Sequence, residues 1–278
     1  MQRRIEMEIP PLSALSPDDD RIGWDTDARG VAVVTINRPD KRNALALSMW
    51  RTLHQVFAAA SADPAVRSVI LTGEGSHFCA GADISEFDTV RSNAEQGLAY
   101  DAINDAATIA IRDCAKPTIA AMTGYAVGGG LAIALACDFR VADATVRAGI
   151  PAGRLGLVYS TLDCSLLAGR VGATCAKEIL FTGRHYGLED ALRLRLVERG
   201  AEAGSALATA HGFAEEMLAA APLSITGNKA IVEAVARGEA QQRADELVRL
   251  IARAFDSADY AEGRRAFAER RDPMFRGS

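Results

Sequence analysis

The feature that most constrains this chain is the alternation of strand-like and helix-like segments in its first half. β-branched runs extend from Val31 to Asn37 and from Ser68 to Thr72, and turn-forming residues follow each run. Apolar residues at helical spacing fill the interval from Leu47 to Ala60. Such an alternation predicts parallel strands joined by right-handed crossovers. We therefore predict an α/β fold.

The pattern changes beyond about Gly200, where helical spacing dominates and few strand signals remain. The four helical segments are Ser205 to Ala220, Ser224 to Ala236, Gln241 to Phe255 and Tyr260 to Glu269. We predict three regions: a flexible N-terminal extension over residues 1–22, a core containing the strands over residues 23–200, and a helical C-terminal region over residues 201–278.

Composition narrows the classes of function. Of the 278 residues, 49% are apolar and 24% are charged, as is typical of a soluble globular protein. The apolar runs are too short for a signal peptide or a membrane span, so we expect a cytoplasmic protein without a membrane partner. A net charge of −5 without a basic stripe argues against nucleic-acid binding. The five cysteines form no Cys-x-x-Cys pair and the four histidines are scattered, so we predict no metal site.

Two loops rich in small residues carry the strongest chemical signal. One spans His77 to Ile84 (HFCAGADI) and the other spans Gly124 to Gly130 (GYAVGGG), and each follows a predicted strand. Small residues let a ligand approach the main chain, and amides at the start of a helix favour negative charge. Two such loops can stabilise one enolate oxygen. A triple glycine alone is also typical of a tight turn with close helix packing.

The combination of motifs resembles the crotonase superfamily, the enoyl-CoA hydratase/isomerase group. The shared segments are the two loops, NRPDKRNAL at 37–45, Cys137-Asp138, and DPMFRG at 272–277. The resemblance extends from about Gly23 to Gly277. It implies a crotonase-like spiral of ββα units, a C-terminal helical trimerisation region, and a homotrimer or dimer of trimers. It also implies an acyl-CoA substrate, with coenzyme A as part of the substrate and no separate cofactor.

The same resemblance assigns site residues. The oxyanion donors fall on the amides of Ala80 and Gly129. The residues implied in CoA binding are Lys41, Arg42, Ala44, Ala80, Gly81, Ala82, Asp83, Ile84 and Arg276, the last of which often reaches the CoA of a neighbouring subunit. The charged members of this set are equally typical of a solvated surface.

Two positions depart from the hydratase pattern. The glutamates of enoyl-CoA hydratases fall on Ala132 and Ala152 in this chain. Hydration needs a base to activate water and an acid to protonate the α-carbon, and alanine supplies neither. The resemblance therefore favours a reaction that forms an enolate without those glutamates, such as loss of CO₂ from a malonyl-type thioester.

Tyr159 is the leading polar candidate, because it follows an LGxxY pattern found in decarboxylases of the superfamily. Its hydroxyl can orient a carboxylate or protonate an enolate, although a packed aromatic explains it equally well. Asp163 is an alternative base for a double-bond isomerase, and helix capping is the structural explanation of Ser160 and Asp163. Glu86 and Asp88 are reserve candidates near the acyl group.

Three functions remain open from the sequence: an acyl-CoA lyase or isomerase, a hydratase with non-standard acid and base groups, and a non-catalytic acyl-CoA-binding protein. Turnover of an acyl-CoA thioester would exclude the third, whose ligand affinity should not depend on Tyr159 or Asp163. We expect the walls of the acyl pocket to come from the segment Glu86 to Asn104 and from the C-terminal helices.

Overall fold

A six-stranded sheet lies at the centre of the computed structural model, which describes residues 10–278. In spatial order the strands are β1 (Ile22–Thr26), β2 (Val31–Ile36), β3 (Ser68–Gly73), β4 (Thr118–Met122), β6 (Phe139–Asp143) and β8 (Arg199–Ala201). Only the β1–β2 pair of this sheet is antiparallel, and the other neighbours are parallel. The three predicted strands, which are β2, β3 and β4, and their parallel order are confirmed, while β1, β6 and β8 were not predicted.

A second, smaller sheet consists of two parallel strands. These are β5 (Tyr125–Val127) and β7 (Arg147–Gly149). Because the carboxyl ends of parallel strands meet at one edge of a sheet, the loops that follow β3 and β4 lie side by side. Both glycine-rich loops of the sequence are therefore at the same end of the molecule.

Helices cover the sheets and form the C-terminal region. Those of the core are α1 (Leu47–Ala62), α2 (Phe87–Val90), α3 (Ala94–Arg112), α4 (Gly129–Ala136), α5 (Ala152–Leu155), α6 (Thr161–Thr182) and α7 (Leu188–Arg193). Those that follow are α8 (Ala206–Leu218), α9 (Pro222–Ala236), α10 (Ala244–Phe255) and α11 (Ala258–Glu269). All four predicted C-terminal helices are present, with boundaries that differ by at most three residues.

The sheet is buried on both faces, which explains why its strands read as continuous apolar runs rather than alternating ones. On one face, Val34 and Leu71 pack in a cluster with Trp50 of α1. On the other face, Ile70 and Val141 pack in a cluster with α8, which contributes small buried side chains: Ala206, Ala210 and Ala214. Every residue of β4 is buried.

The N-terminal segment differs from the predicted flexible extension. Residues 1–9 lie outside the described residues. Leu12, however, is 1% exposed, and its amide donates to the Asp63 carboxylate at 2.9 Å. The Trp24 indole N–H donates to the Leu12 carbonyl at 3.1 Å. The predicted extension is thus wrong for this part, because Leu12 is packed into the core.

No helix of residues 10–278 combines the length and the apolar character that crossing a membrane requires. In the C-terminal region, α10 exposes three large apolar side chains: Val248, Ile251 and Phe255. The trimer or dimer of trimers remains a prediction.

Candidate active site

Main-chain hydrogen bonds join the two glycine-rich loops. The Phe78 amide donates to the Thr123 carbonyl, and the Cys79 amide donates to the Tyr125 carbonyl at 2.8 Å. The Val127 amide returns a bond to the Cys79 carbonyl at 3.0 Å. The loop that follows β3 is therefore paired with β5, and its small residues lie beside the start of α4.

The structure corrects one of the two predicted oxyanion donors. The Ala80 amide donates to the Arg42 carbonyl at 3.0 Å, so it is not available to a ligand. The Ala82 amide has no acceptor among residues 10–278, and a Cβ atom added to Gly129 would lie 3.8 Å from the Ala82 nitrogen. Because Gly129 is the first residue of α4, its own amide is also free. The converging pair is Ala82 and Gly129.

The backbone of Gly81 explains why the donor falls on the residue that follows it. Gly81 has φ +97°, and an added Cβ atom would lie 2.8 Å from the Val127 carbonyl oxygen. Its carbonyl accepts from the Leu45 amide at 2.8 Å, and the Asp83 amide donates to the Leu45 carbonyl at 2.9 Å. These bonds fix the backbone on both sides of Ala82, while the Ala82 N–H is left without an acceptor.

Gly128 and Gly129 form the corner at which α4 begins. Gly128 has φ +58° and donates to the Gly149 carbonyl at 2.9 Å. A Cβ atom on Gly129 would lie 3.2 Å from the ring carbons of Trp50. Trp50 is fully buried, and its indole N–H donates to the Tyr100 hydroxyl at 2.9 Å. Trp50 therefore fixes the floor beneath the Gly129 amide.

A cavity of about 270 Å³ opens over these amides. Its walls come from the segments 80–91, 101–105, 127–129 and 151–163. The loop and α3 contribute as expected, but no residue of the C-terminal helices lines it within the described chain, contrary to the expectation from sequence. Ala152 lines the cavity, whereas Ala132 is buried in α4 outside it. Neither side chain can transfer a proton.

Tyr159 lies next to the oxyanion corner. A Cβ atom on Gly128 would be 3.2 Å from the Tyr159 hydroxyl oxygen. The hydroxyl has no hydrogen-bond partner among residues 10–278, and burial raises the pKa of the phenol above its usual value. The structure thus brings this predicted residue to the cavity as a neutral group that can donate a hydrogen bond.

Asp163 is the most perturbed carboxyl of the cavity. Asp163 is 9% exposed, and its Oδ1 atom has no hydrogen-bond partner among residues 10–278. Burial, together with the nearby carboxylates of Asp105 and Asp101, raises the pKa of Asp163 to about 7. Ser160 caps α6 by accepting a bond from the Asp163 amide at 3.2 Å. Capping is thus confirmed for Ser160, while the Asp163 carboxyl is not used as a cap.

Helix α3 contributes polar residues that sequence reasoning missed. The Asp105 carboxylate accepts from the Ser160 hydroxyl at 3.1 Å, and Asp101 pairs with Arg91 at 2.7 Å. Burial raises the pKa of Asp105, and Asp101 adds to the rise. The 101, 104, 105 spacing of polar residues, which places them on one helix face, was the available signal.

Some of the residues predicted to bind CoA line the cavity and others do not. Ala80 to Ala82 and Ile84 line the cavity. Lys41 and Arg42 are exposed, and the Arg42 carbonyl accepts from the Ala80 amide of the loop 77–84. The Arg42 guanidinium lies 5.3 Å from the centre of the Tyr125 ring. Ala44 is half-buried and accepts from Arg38 through its carbonyl at 3.2 Å.

Two further predicted CoA contacts have structural partners in this chain. Asp83 forms an ion pair with Arg38 at 2.8 Å, which ties the loop 77–84 to the segment 37–45. The Arg276 amide donates to Asp259 at 2.7 Å, and Arg276 lines a different cleft, formed by the ends of α1 and α3 and by the C-terminal helices. This chain by itself therefore does not bring Arg276 to the candidate site.

Glu86 and Asp88, the reserve candidates from the sequence, do not line the cavity. The Glu86 carboxylate accepts from the Leu47 amide at 2.9 Å and so caps the start of α1. Asp88 is exposed and does not line the cavity. Across residues 10–278, no three His, Cys, Asp or Glu side chains are grouped closely enough to hold a metal ion.

Two main-chain amides converge in this cavity beside a buried carboxyl and a phenol, and such an arrangement can stabilise an acyl carbonyl oxygen that gains negative charge. The model of the Enoyl-CoA hydratase/isomerase family matches residues 26–278. The chain belongs to this family, within the crotonase superfamily, and is an acyl-CoA enzyme of that family.

Known proteins support the assignment over nearly the whole chain. A putative enoyl-CoA hydratase of Thermus thermophilus is 38% identical over 247 residues, covering 88% of this chain and 97% of that protein. The (E)-benzylidenesuccinyl-CoA hydratase of Thauera aromatica is 33% identical, with coverage of 89% and 96%. A solved enoyl-CoA hydratase/carnithine racemase from Magnetospirillum magneticum is 37% identical, with a TM-score of 0.85 and coverage of 94% and 97%. The crotonase-like fold is thereby confirmed.

Proposed function

We propose that this protein moves a carbon–carbon double bond within an enoyl-CoA thioester, with Asp163 as the group that carries the proton. The observation that carries the proposal is the unpartnered Asp163 carboxyl in the cavity where the Ala82 and Gly129 amides converge. A carboxyl whose pKa is about 7 can both accept and return a proton near neutral pH.

The proposed reaction has two proton transfers. The Asp163 carboxylate removes a proton from the α-carbon of a 3-enoyl thioester, and the C–H electron pair enters the conjugated system. The thioester oxygen then carries the negative charge of a dienolate and accepts from the Ala82 and Gly129 amides. Protonated Asp163 returns the proton to the γ-carbon. The double bond ends between the α- and β-carbons, and no atom is gained or lost.

One titrating carboxyl suffices for this reaction, whereas hydration also requires activation of water. The two positions that hold glutamate in hydratases hold Ala132 and Ala152 here. Two other carboxyls lie near Asp163, but Asp105 is bonded to the Ser160 hydroxyl and Asp101 is paired with Arg91. These contacts favour isomerisation over hydration, although the named relatives are hydratases.

Decarboxylation of a malonyl-type thioester is the second candidate, and the position of Tyr159 favours it. The Tyr159 hydroxyl lies next to Gly128 and can protonate an enolate after CO₂ leaves. The charges around the cavity argue in the other direction, because Asp105 and Asp163 would repel the carboxylate of the substrate. We therefore rank isomerisation first.

The CoA moiety is proposed to run along the loop 80–84 towards Lys41 and Arg42. The free Ala82 amide supports this placement, because it can donate to the thioester oxygen only if the thioester carbonyl lies at that loop. The exposed guanidinium and ammonium groups at the entrance suit the phosphates of CoA.

The test compares three substrates with one preparation of purified protein. A 3-enoyl-CoA should gain the absorbance of a conjugated thioester, crotonyl-CoA should lose it only slowly, and malonyl-CoA should release little CO₂. A glutamate-bearing hydratase is the control for crotonyl-CoA. Hydration at a rate comparable to that control would contradict the proposal, as would faster CO₂ release than double-bond migration.

Replacing Tyr159 with phenylalanine separates the two candidates. If Asp163 transfers the proton, Tyr159→Phe should lower turnover of the 3-enoyl thioester only about tenfold, since one hydrogen bond near the oxyanion is lost. The measurement is kcat/KM beside that of Asp163→Asn. A larger loss in Tyr159→Phe than in Asp163→Asn would make the phenol the main proton donor and favour decarboxylation.

A further inference from the structure

One wall of the acyl cavity is polar. We call it the α3 wall, and it consists of Asp101, Asn104 and Asp105 together with Ser160. The three α3 residues lie at spacings of three and four and so share one face of the helix. The facing side of the same cavity is apolar and is formed by Ile84, Phe87, Leu155, Leu157 and Val158.

The α3 wall has hydrogen-bonding capacity that the protein leaves unused. The Asn104 side-chain oxygen accepts only a long bond of 3.4 Å from the Thr108 hydroxyl. Its NH₂ group has no acceptor among residues 10–278. Within the described part of the chain, the Asp105 carboxylate accepts one hydrogen bond, from the Ser160 hydroxyl, although a carboxylate can accept several.

A purely hydrocarbon acyl group would displace water from this wall without replacing its hydrogen bonds. Burial of polar groups without partners is unfavourable, so such a group would bind weakly there. An acyl group with a hydroxyl can accept from the Asn104 amide and donate to the Asp105 carboxylate. The polar side would then face α3 and the carbon chain would face the apolar side.

The unpaired charges of the cavity are of both signs. A distal carboxylate would meet Asp105 and Asp163, which repel it. Arg91 and Asp101 neutralise each other, so a distal ammonium group would meet the exposed Arg154 as the remaining like charge of the lining. A neutral hydrogen-bonding group satisfies both constraints.

We infer that the enzyme acts on acyl-CoA thioesters whose acyl chain carries a neutral hydroxyl group, and that Asn104 is the residue that recognises it. The inference rests on the proposed function only in that the acyl group must occupy this cavity. The acyl class follows from the α3 wall and not from the identity of the proton-transfer step.

Binding can be measured without any reaction. Hexanoyl-CoA is compared with its counterparts that carry a hydroxyl on the fourth, fifth or sixth carbon, and the dissociation constants are obtained by titration calorimetry. At least one hydroxylated thioester should bind about 5–50-fold more tightly, as expected for one or two hydrogen bonds to the wall. Equal or weaker binding of all three would overturn the inference.

Asn104→Leu tests the residue itself, because leucine fills a similar volume without hydrogen-bonding groups. The preference for the hydroxylated thioester should fall to about twofold or less, mostly through tighter binding of plain hexanoyl-CoA. Asn104→Ala is the second variant should the leucine variant not fold, and Asn228→Leu on α9, outside the cavity, is the matched control. An unchanged preference in both Asn104 variants would overturn the role of Asn104.

The outcome is separable from that of the proposed function. A preference for the hydroxyl that is lost in the Asn104 variants would support this inference even if no 3-enoyl thioester were isomerised. Isomerisation of plain and hydroxylated 3-enoyl thioesters at equal kcat/KM would sustain the proposed function and overturn this inference.

Discussion

Replacing Asp163 with asparagine is expected to lower kcat for double-bond migration by about 10²–10⁴-fold, because the amide cannot accept and return the proton. In the unaltered protein the rate should rise with pH through about 7, since the base form of Asp163 is the ionised one. The measurements are kcat over pH 5 to 9 for both proteins and exchange of the α-proton in D₂O. More than a tenth of the original rate in Asp163→Asn would contradict the assignment.

Stability supplies the control for Asp163→Asn. The folded chain holds the proton on Asp163 more strongly than the unfolded chain does, because burial raises the pKa from 3.8 to about 7. The folded state is therefore favoured below pH 4, and this stabilisation is lost as the pH rises towards 7. Since one pKa unit corresponds to about 1.4 kcal/mol, the ionised carboxylate costs roughly 4 kcal/mol at pH 8. Asp163→Asn should match or exceed the original melting temperature at pH 8, so loss of activity would not reflect unfolding.

Replacing Gly129 with proline is expected to lower kcat/KM by about 10²–10³-fold, because it removes one of the two amide donors to the enolate oxygen. Position 129 is the first of α4, where proline is tolerated without loss of a helical hydrogen bond. The measurement is kcat/KM for the 3-enoyl thioester, together with the absorbance of a bound conjugated thioester. Loss of carbonyl polarisation should shift that absorbance towards shorter wavelength.

Gly129→Ala is the matched control for the proline variant. Alanine keeps the amide but places a Cβ atom 3.2 Å from the Trp50 ring, so it reports the steric part of the change. Thermal melting of both variants checks the fold. Equal activity of the two variants would show that the contact with Trp50, and not the amide, accounts for the loss.

The sequence predicted the oxyanion corner but misplaced one donor. The predicted donor Gly129 begins α4, and a glycine run at the start of an apolar helix leaves its first amide free. The choice of Ala80 over Ala82 was wrong, because the distinction depends on which amide of the loop is already bonded. That in turn depends on the Arg42 carbonyl, which lies 38 positions earlier in the chain.

Some polar residues of the cavity were recognised from the sequence and others were not. Tyr159 and Asp163 were candidates by motif and position, and both reach the cavity. Asp101 and Asp105 were not recognised, because an isolated helix with polar residues on one face reads as solvent-exposed. Only the packing of α3 against the start of α6 places those carboxylates near Asp163 and raises its pKa.

The sequence by itself determined the α/β class, the helical C-terminal region, the family, and the absence of glutamate at positions 132 and 152, because these depend on local periodicity and ordered motifs. The tertiary structure decided which amide faces the acyl group, which carboxyl is buried without a partner, and which wall of the cavity is polar. These properties arise from contacts between residues far apart in the chain, whose hydrogen bonds and desolvation do not depend on local sequence.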